Sequence, residues 1–383
     1  MLKKKILAIC LISLLCLVLA FSLNSIQKES KIANFKQFLK DIRKKNLSFV
    51  EARYYKQLEN KSVQCQLCPN FCLIKPGERG KCGARVNSDG KLYTLVYARP
   101  VAIHVDPIEK KPLSHVLPGT KSFSIATPGC NLGCLFCQNW QISQAKPEES
   151  TVVHFPPEKV VANALKHGCK TIAFTYTEPT IFYEYMLDTA KLAKKKGLKC
   201  VMHSCGYINP EPLAELLPYL DAVNIDLKAF SGRYYRKMCF GDLQPVLKTL
   251  QAIKKKGVWL EITNLVIPGK NDDPKQITEM CAWIKNNLGP DVPLYFAAFT
   301  PSYQLQNIPS TPVGTLTLAR DIAKREGLNY VYIGNIYGNA GESTYCSKCG
   351  EILIKRMGYN IIYNKLEDGK CPHCGTKIPG VWS

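Results

Sequence analysis

The run TPGCNLGCLFCQNW places Cys130, Cys134 and Cys137 at C-x3-C-x2-C spacing. Three thiolates on one tight loop can hold three irons of a cubane and leave the fourth without a protein ligand. An open iron of that kind can chelate the amino and carboxylate groups of a ligand and pass it an electron. Gly129 and Gly133 let the backbone fold around such a centre, and Phe136, beside Cys137, can shield it from water. A zinc site is the poorer reading, because zinc asks for a fourth ligand.

Two further sets of cysteines have metal-binding spacing. CQLCPNFCLIKPGERGKC holds Cys65, Cys68, Cys72 and Cys82, enough for a four-thiolate zinc site or an auxiliary iron-sulfur cluster. Near the C-terminus, CSKCG and CPHCG supply Cys346, Cys349, Cys371 and Cys374 as two Cys-x2-Cys-Gly knuckles, the pattern of a zinc ribbon. Rubredoxin-like iron is the second reading there. His373, inside a knuckle, is expected to face outward. With 18 cysteines, most of them in short-spaced groups, metal clips account for the sequence better than disulfides do, and they imply a reducing compartment.

These residues need a scaffold, and the pattern between Ser122 and Ile336 predicts one. Short β-rich runs (SFSIAT, TIAFTYT, KCVMHS, AVNIDLK, WLEITNLVI, PLYFAAFT, YVYIGN) alternate with helical stretches. Seven strands separated by helices imply an α/β fold of parallel units, one short of a closed barrel, so a partial (β/α) barrel is expected. Glu178, Ser204, Asp226 with Lys228, and Asn264 end successive strands. In such a fold the loops after the strands form the active face, so these groups should converge on one mouth. The expected organisation is residues 1–25 as signal or membrane anchor, 26–60 as a basic amphipathic connector and 61–118 as a Cys-rich module. Residues 119–338 form the core and 339–383 the ribbon-like module.

The N-terminal segment follows from Lys3, Lys4 and Lys5 and the apolar run from Ile6 to about Leu23, which suits a marginal membrane span or a signal-peptide core. No small-x-small cleavage site follows, so an uncleaved anchor is expected. The catalytic part is then placed on the cytoplasmic face, with the lysines and arginines of residues 28–45 against anionic lipid and export as the alternative. The net charge of +21 also admits an acidic partner. Runs such as KKKG at Lys194–Gly197 and Lys254–Gly257 read more simply as lysines at the negative poles of helices.

The cysteine loop, its place after the first strand, and the Glu-Pro and Asp-Leu-Lys motifs resemble the radical S-adenosylmethionine (SAM) superfamily, near the pyruvate formate-lyase activating enzymes. More closely, HVDPIEKKPLSHVLPG, CQNWQISQ, TYTEPTIFYEY, NIDLKAF and LVIPGKND resemble the AmmeMemoRadiSam system radical SAM enzymes, from about Cys65 to the C-terminus. The resemblance implies a [4Fe-4S] cluster on Cys130, Cys134 and Cys137, SAM as cofactor, and a low-potential electron donor. Memo-type and AMMECR-type proteins become candidate partners. It further implies that Glu178 helps hold the SAM amino group, while Asp226 and Lys228 position its carboxylate end or a nearby cation. Phe136 and Ser204 fall beside these groups in the cofactor site. Three positions depart from the pattern: Thr177 stands where relatives often carry Asn, Cys205 where they carry Asn before Gly, and Tyr295 where they carry His.

The function so implied is reductive cleavage of SAM to a 5'-deoxyadenosyl radical, used for hydrogen abstraction from a protein or small molecule. An RNA-modifying enzyme ranks lower, because no aromatic-basic RNA-binding motif appears. A non-enzymatic iron-sulfur or zinc-ribbon carrier is the third possibility, and it would form no 5'-deoxyadenosine.

Overall fold

The computed structural model describes residue 37 and residues 47–383. Among the described residues no helix is long and apolar enough to cross a membrane. This overturns the expectation of a membrane-anchored chain with its catalytic part on the cytoplasmic face; the run from Ile6 to Leu23 lies outside the described residues.

The centre of the fold is one eight-stranded sheet. Its strands are β1 (Ala102–Pro107), β2 (Lys121–Ala126), β3 (Thr171–Phe174), β4 (Lys199–Ser204), β5 (Ala222–Asp226), β6 (Trp259–Val266), β7 (Leu294–Ala298) and β8 (Val331–Gly334). From β2 to β8 each strand pairs parallel with the next in sequence, and the order is linear, so the sheet stays open. All seven strands read from the sequence form. The eighth, β1, pairs antiparallel with β2 from Ala102↔Ala126 to Pro107↔Lys121 and belongs to the HVDPIEKK stretch, which gave no strand signal.

The parallel strands are apolar runs because both faces are covered, as every residue of β3 and β7 is buried. The covering helices are α1 (Pro157–Lys166), α2 (Tyr183–Lys195), α3 (Pro210–Leu216), α4 (Leu243–Lys256), α5 (Pro274–Leu288) and α6 (Val313–Arg325). Proline in the first turn starts α1, α3 and α5, where its missing N–H costs nothing. Asp273 caps α5 by accepting from the Lys275 amide. Lysine runs close α2 and α4, and Gly257 stops α4 in a left-handed turn at φ 79. Those lysines therefore act as helix ends.

Before the main sheet come two small antiparallel sheets, one of Tyr55–Gln57, Val63–Cys65 and Leu73–Ile74, the other of Val50–Glu51, Lys91–Thr94 and Arg85–Ser88. Beyond it, Thr344–Tyr345, Ile352–Met357 and Asn360–Asn364 form a third, whose core joins Leu353, Ile354, Cys346 and Cys371 to Tyr295, Tyr330 and Tyr332 of the main sheet region. The final residues return to the sheet's first loop. The Leu117 amide donates to the Val381 carbonyl (2.8 Å), and the Val381 amide to the His115 carbonyl (2.7 Å).

Candidate functional site

The loop after β2 carries Cys130, Cys134 and Cys137 into a cavity of about 620 Å³ at the C-terminal ends of the strands. The loop is tied down on both sides. Gly129 N donates to Ile142 O (2.9 Å), Gly133 N to Cys239 O (3.0 Å) and Leu135 N to Met238 O (3.0 Å). Gly129 sits at φ 105, and a Cβ there would lie 2.6 Å from the Cys82 carbonyl oxygen. Only glycine meets both conditions. Phe136 is buried among the site residues, with Lys228 Nζ 5.9 Å from its ring centre.

Glu178 follows β3 and is buried. One of its oxygens accepts from Thr180 N (3.0 Å), Thr180 Oγ1 (2.6 Å) and Ser204 Oγ (2.7 Å). The other accepts from Cys205 N (2.8 Å) and Cys205 Sγ (2.7 Å). The carboxylate thus fastens the ends of β3 and β4 together. At the end of β5, Asp226 accepts from Lys228 Nζ (2.7 Å) and pairs with His203 Nε2 (3.0 Å). Burial opposes charge on Asp226, yet Lys228 and His203 together hold its carboxyl well below the usual carboxylate range. Burial likewise opposes charge on Lys228, and Asp226 outweighs it, holding the ammonium protonated.

Cys130, Cys134, Cys137, Phe136, Glu178, Ser204, Asp226 and Lys228 therefore all line the one cavity. Asn264 does not join them, because its amide turns inward to the Leu227 carbonyl (2.7 Å). Two site residues had no sequence signal. His203 reaches Asp226 only because β4 and β5 pair in register. Cys239 arrives from the segment after β5, hydrogen-bonds Cys134, and so holds that thiol below its ordinary value against the effect of burial.

Of the departures from the family pattern, Thr177 donates from Oγ1 to the Thr127 carbonyl (2.9 Å), and Cys205 spends both donors on Glu178. Tyr295 donates to Glu261 (2.6 Å) and accepts from Ser114 N (2.7 Å). Glu261 also accepts from His115 N and Trp259 Nε1, both at 2.9 Å, so this network belongs to the floor of the mouth.

The two outer cysteine sets differ in geometry. Cys346, Cys349, Cys371 and Cys374 gather with all four sulfurs within 4.8 Å of one another, a group able to hold a metal ion. Cys346 and Cys374 stand 3.6 Å apart, Cys349 and Cys371 3.7 Å. His373 is exposed, as expected. Cys65, Cys68, Cys72 and Cys82 line a second, smaller cavity that shares no residue with the mouth.

Residues 124–281 match the radical SAM superfamily. The chain is 45% identical over 330 residues to the uncharacterized protein MJ0808 of Methanocaldococcus jannaschii, covering 86% of this chain and 98% of that one. It is 23% identical over 183 residues to the pyruvate formate-lyase-activating enzyme of Listeria monocytogenes, covering 44% of this chain and 71% of the enzyme. Among solved structures, a domain of the pyruvate-formate lyase-activating enzyme from Bacteroides vulgatus aligns with TM-score 0.38 and 18% identity, over 43% of this chain and 98% of that domain. The chain belongs to the radical SAM superfamily, and is an enzyme of the kind that cleaves SAM reductively at a [4Fe-4S] cluster. The site fits that cofactor pair: three thiolates from one loop face a cavity that also presents carboxylates and an ammonium.

Proposed function

We propose that Cys130, Cys134 and Cys137 hold the catalytic cluster and that the mouth binds SAM beside it, for hydrogen abstraction from a small molecule or a protein segment. The cluster, when bound, supplies the electron that breaks a carbon-sulfur bond of SAM. The observation that carries the reading is the convergence of the three thiolates with Glu178, Asp226 and Lys228 on one cavity. The methionyl end of SAM is zwitterionic, and carboxylates and an ammonium on neighbouring strand ends complement it.

Glu178 meets the SAM ammonium with both oxygens already accepting. The side-chain donors Ser204 Oγ and Cys205 Sγ would give way, since an ammonium brings a full positive charge to the carboxylate and a hydroxyl or thiol does not. Lys228, fixed by Asp226, faces the SAM carboxylate, and Phe136 excludes water from the loop. Ser204 and His203 complete the wall.

The resemblance over Cys65 to the C-terminus supports membership of the AmmeMemoRadiSam group, with Memo-type and AMMECR-type proteins as partners and a low-potential protein as electron donor. The sulfur spacing of the C-terminal knuckles supports a single tetrahedral ion, because a metal–sulfur distance of about 2.3 Å sets the sulfurs roughly 3.8 Å apart, and the two Cys-x2-Cys-Gly knuckles favour zinc as that ion.

Anaerobic reconstitution, reduction and assay for 5'-deoxyadenosine test the reading. Alanine at Cys130, Cys134 or Cys137 should abolish the product together with the cluster assigned to that loop. Turnover by any of the three variants would refute the ligand assignment.

A further inference from the structure

Cys65, Cys68, Cys72 and Cys82 come from two hairpins yet face one cavity, and none is in a disulfide. Their sulfurs do not close up as the C-terminal knuckles do, where all four lie within 4.8 Å of one another. Zinc draws its thiolates to about 3.8 Å apart. A cubane interposes an iron between its centre and each sulfur, so its thiolates stand wider. Cys130, Cys134 and Cys137, proposed above to hold a cubane, likewise do not form a group closed to within 4.8 Å among the described residues.

The surroundings are those of a buried anion. Arg85 is 1% exposed and places Nη1 3.8 Å from Cys65 Sγ. Its Nη2 is held by Glu184 at 2.5 Å, while its Nε, also buried, has no hydrogen-bond partner among the described residues. The Lys81 amide donates to Cys72 Sγ (3.4 Å) and the Asn70 side chain to Cys68 Sγ (3.7 Å). A fixed guanidinium and N–H donors on the sulfurs are what a thiolate-bound cluster needs in place of water, and they tune its potential. The site also abuts the catalytic loop. Asn131, between Cys130 and Cys134, lines the same cavity and accepts from Asn70 Nδ2 at 2.7 Å, while the Cys82 carbonyl lies against Gly129.

We propose that Cys65, Cys68, Cys72 and Cys82 hold an auxiliary [4Fe-4S] cluster that relays single electrons to the catalytic one. Four thiolates leave it no open iron, and it does not reach the mouth, so it binds no substrate. A reduced low-potential donor loses one electron, the auxiliary cluster takes it up and passes it on, and no bond or proton moves. Occupancy of this site stands on its own residues; the relay role rests on the radical SAM assignment.

The test uses the full chain reconstituted anaerobically with iron and sulfide. With Cys130, Cys134 and Cys137 all replaced by Ala, about four irons and four sulfides per chain should remain, with a paramagnetic signal on dithionite reduction. Zinc in their place, or loss of all iron, would overturn the proposal. In the reduced parent the two clusters should broaden each other's signals, and the broadening should vanish both in that variant and in Cys68→Ala/Cys72→Ala. Two non-interacting signals would overturn the relay while leaving the cluster. If the Cys68→Ala/Cys72→Ala chain fails to fold, the first variant and the parent spectrum still decide. A parent that shows both clusters but forms no 5'-deoxyadenosine would indict the catalytic assignment instead.

Discussion

Glu178→Gln separates what the carboxylate does for the fold from what it does for the ligand. In the structure its two oxygens take five donors, two of which are the backbone amides of Thr180 and Cys205. Glutamine keeps one oxygen and turns the other into a donor. Whichever way the amide faces, one of those backbone N–H groups loses its acceptor, and both residues are buried. The hydroxyls of Thr180 and Ser204 can rotate to accept instead, and the Cys205 thiol is a weak donor. The unavoidable loss is thus one buried N–H, about 1–3 kcal/mol, and weakening of the bonds that remain brings the cost to about 2–4 kcal/mol. Glu178→Ala orphans both amides and should cost more than Gln. Denaturant unfolding of the anaerobic protein without SAM measures this, and calorimetric titration with SAM measures the second effect, a loss of affinity. Unfolding of the Gln variant at the parent midpoint, or an Ala variant no worse than Gln, would refute the structural half of the argument.

Lys228→Met should weaken SAM binding and leave the iron content of the catalytic loop unchanged, which a paired iron assay and titration would check; unchanged affinity would make the Asp226–Lys228 pair purely structural. Gly129→Ala should lower cluster yield and cost roughly 1–3 kcal/mol, because the added methyl meets the Cys82 carbonyl and the backbone is left-handed there; iron analysis and melting would show it. Burial lowers the His115 pKa to about 3, so stability from its neutral form is complete above about pH 6.5 and lost as pH falls towards 3. His115→Gln should therefore lose stability at neutral pH but decline less steeply in acid, by up to about 1.4 kcal/mol per pH unit, as unfolding series at several pH values would reveal. Cys349→Ser should lose one zinc per chain by metal analysis while the iron-sulfur absorption persists; iron at that position would refute the zinc assignment.

The chemistry was legible where it is local. Each cysteine set announces itself within a few residues, and the seven parallel strands are legible because two-sided burial makes each a short run dominated by β-branched and apolar residues. What escaped was set by pairing across the sheet or between modules. His203 looked like one more strand residue until register brought it to Asp226 (3.0 Å). Cys239 and Arg85 had no neighbours in sequence to mark them. Strand β1 contains Asp106, ends on Pro107 and lies at the sheet edge with His104 and Val105 exposed, so it lacks the β-rich signature of the buried strands. Asn264 failed in the opposite direction, since a polar residue at a strand end can as easily satisfy a backbone carbonyl as face a ligand.

The same distinction explains why the C-terminal knuckles are tied to the mouth and are not a free appendage. Arg356, on the second strand of that module, donates to Thr344 Oγ1 and to the Ser114 carbonyl, each at 2.8 Å. Thr344 Oγ1 lies 2.8 Å from the Tyr332 hydroxyl, which lies 2.7 Å from His115 Nε2. Because the Pro379 carbonyl 2.6 Å from His115 Nδ1 can only accept, Nδ1 carries the proton and Nε2 accepts from Tyr332. Every donor then points one way, from Arg356 through Thr344, Tyr332 and His115 to the chain's last residues. Arg356, Gly358 and Tyr359 also line the mouth. A metal that orders the knuckles therefore orders the strand bearing Arg356, and through it one wall of the cavity that faces the catalytic cysteines.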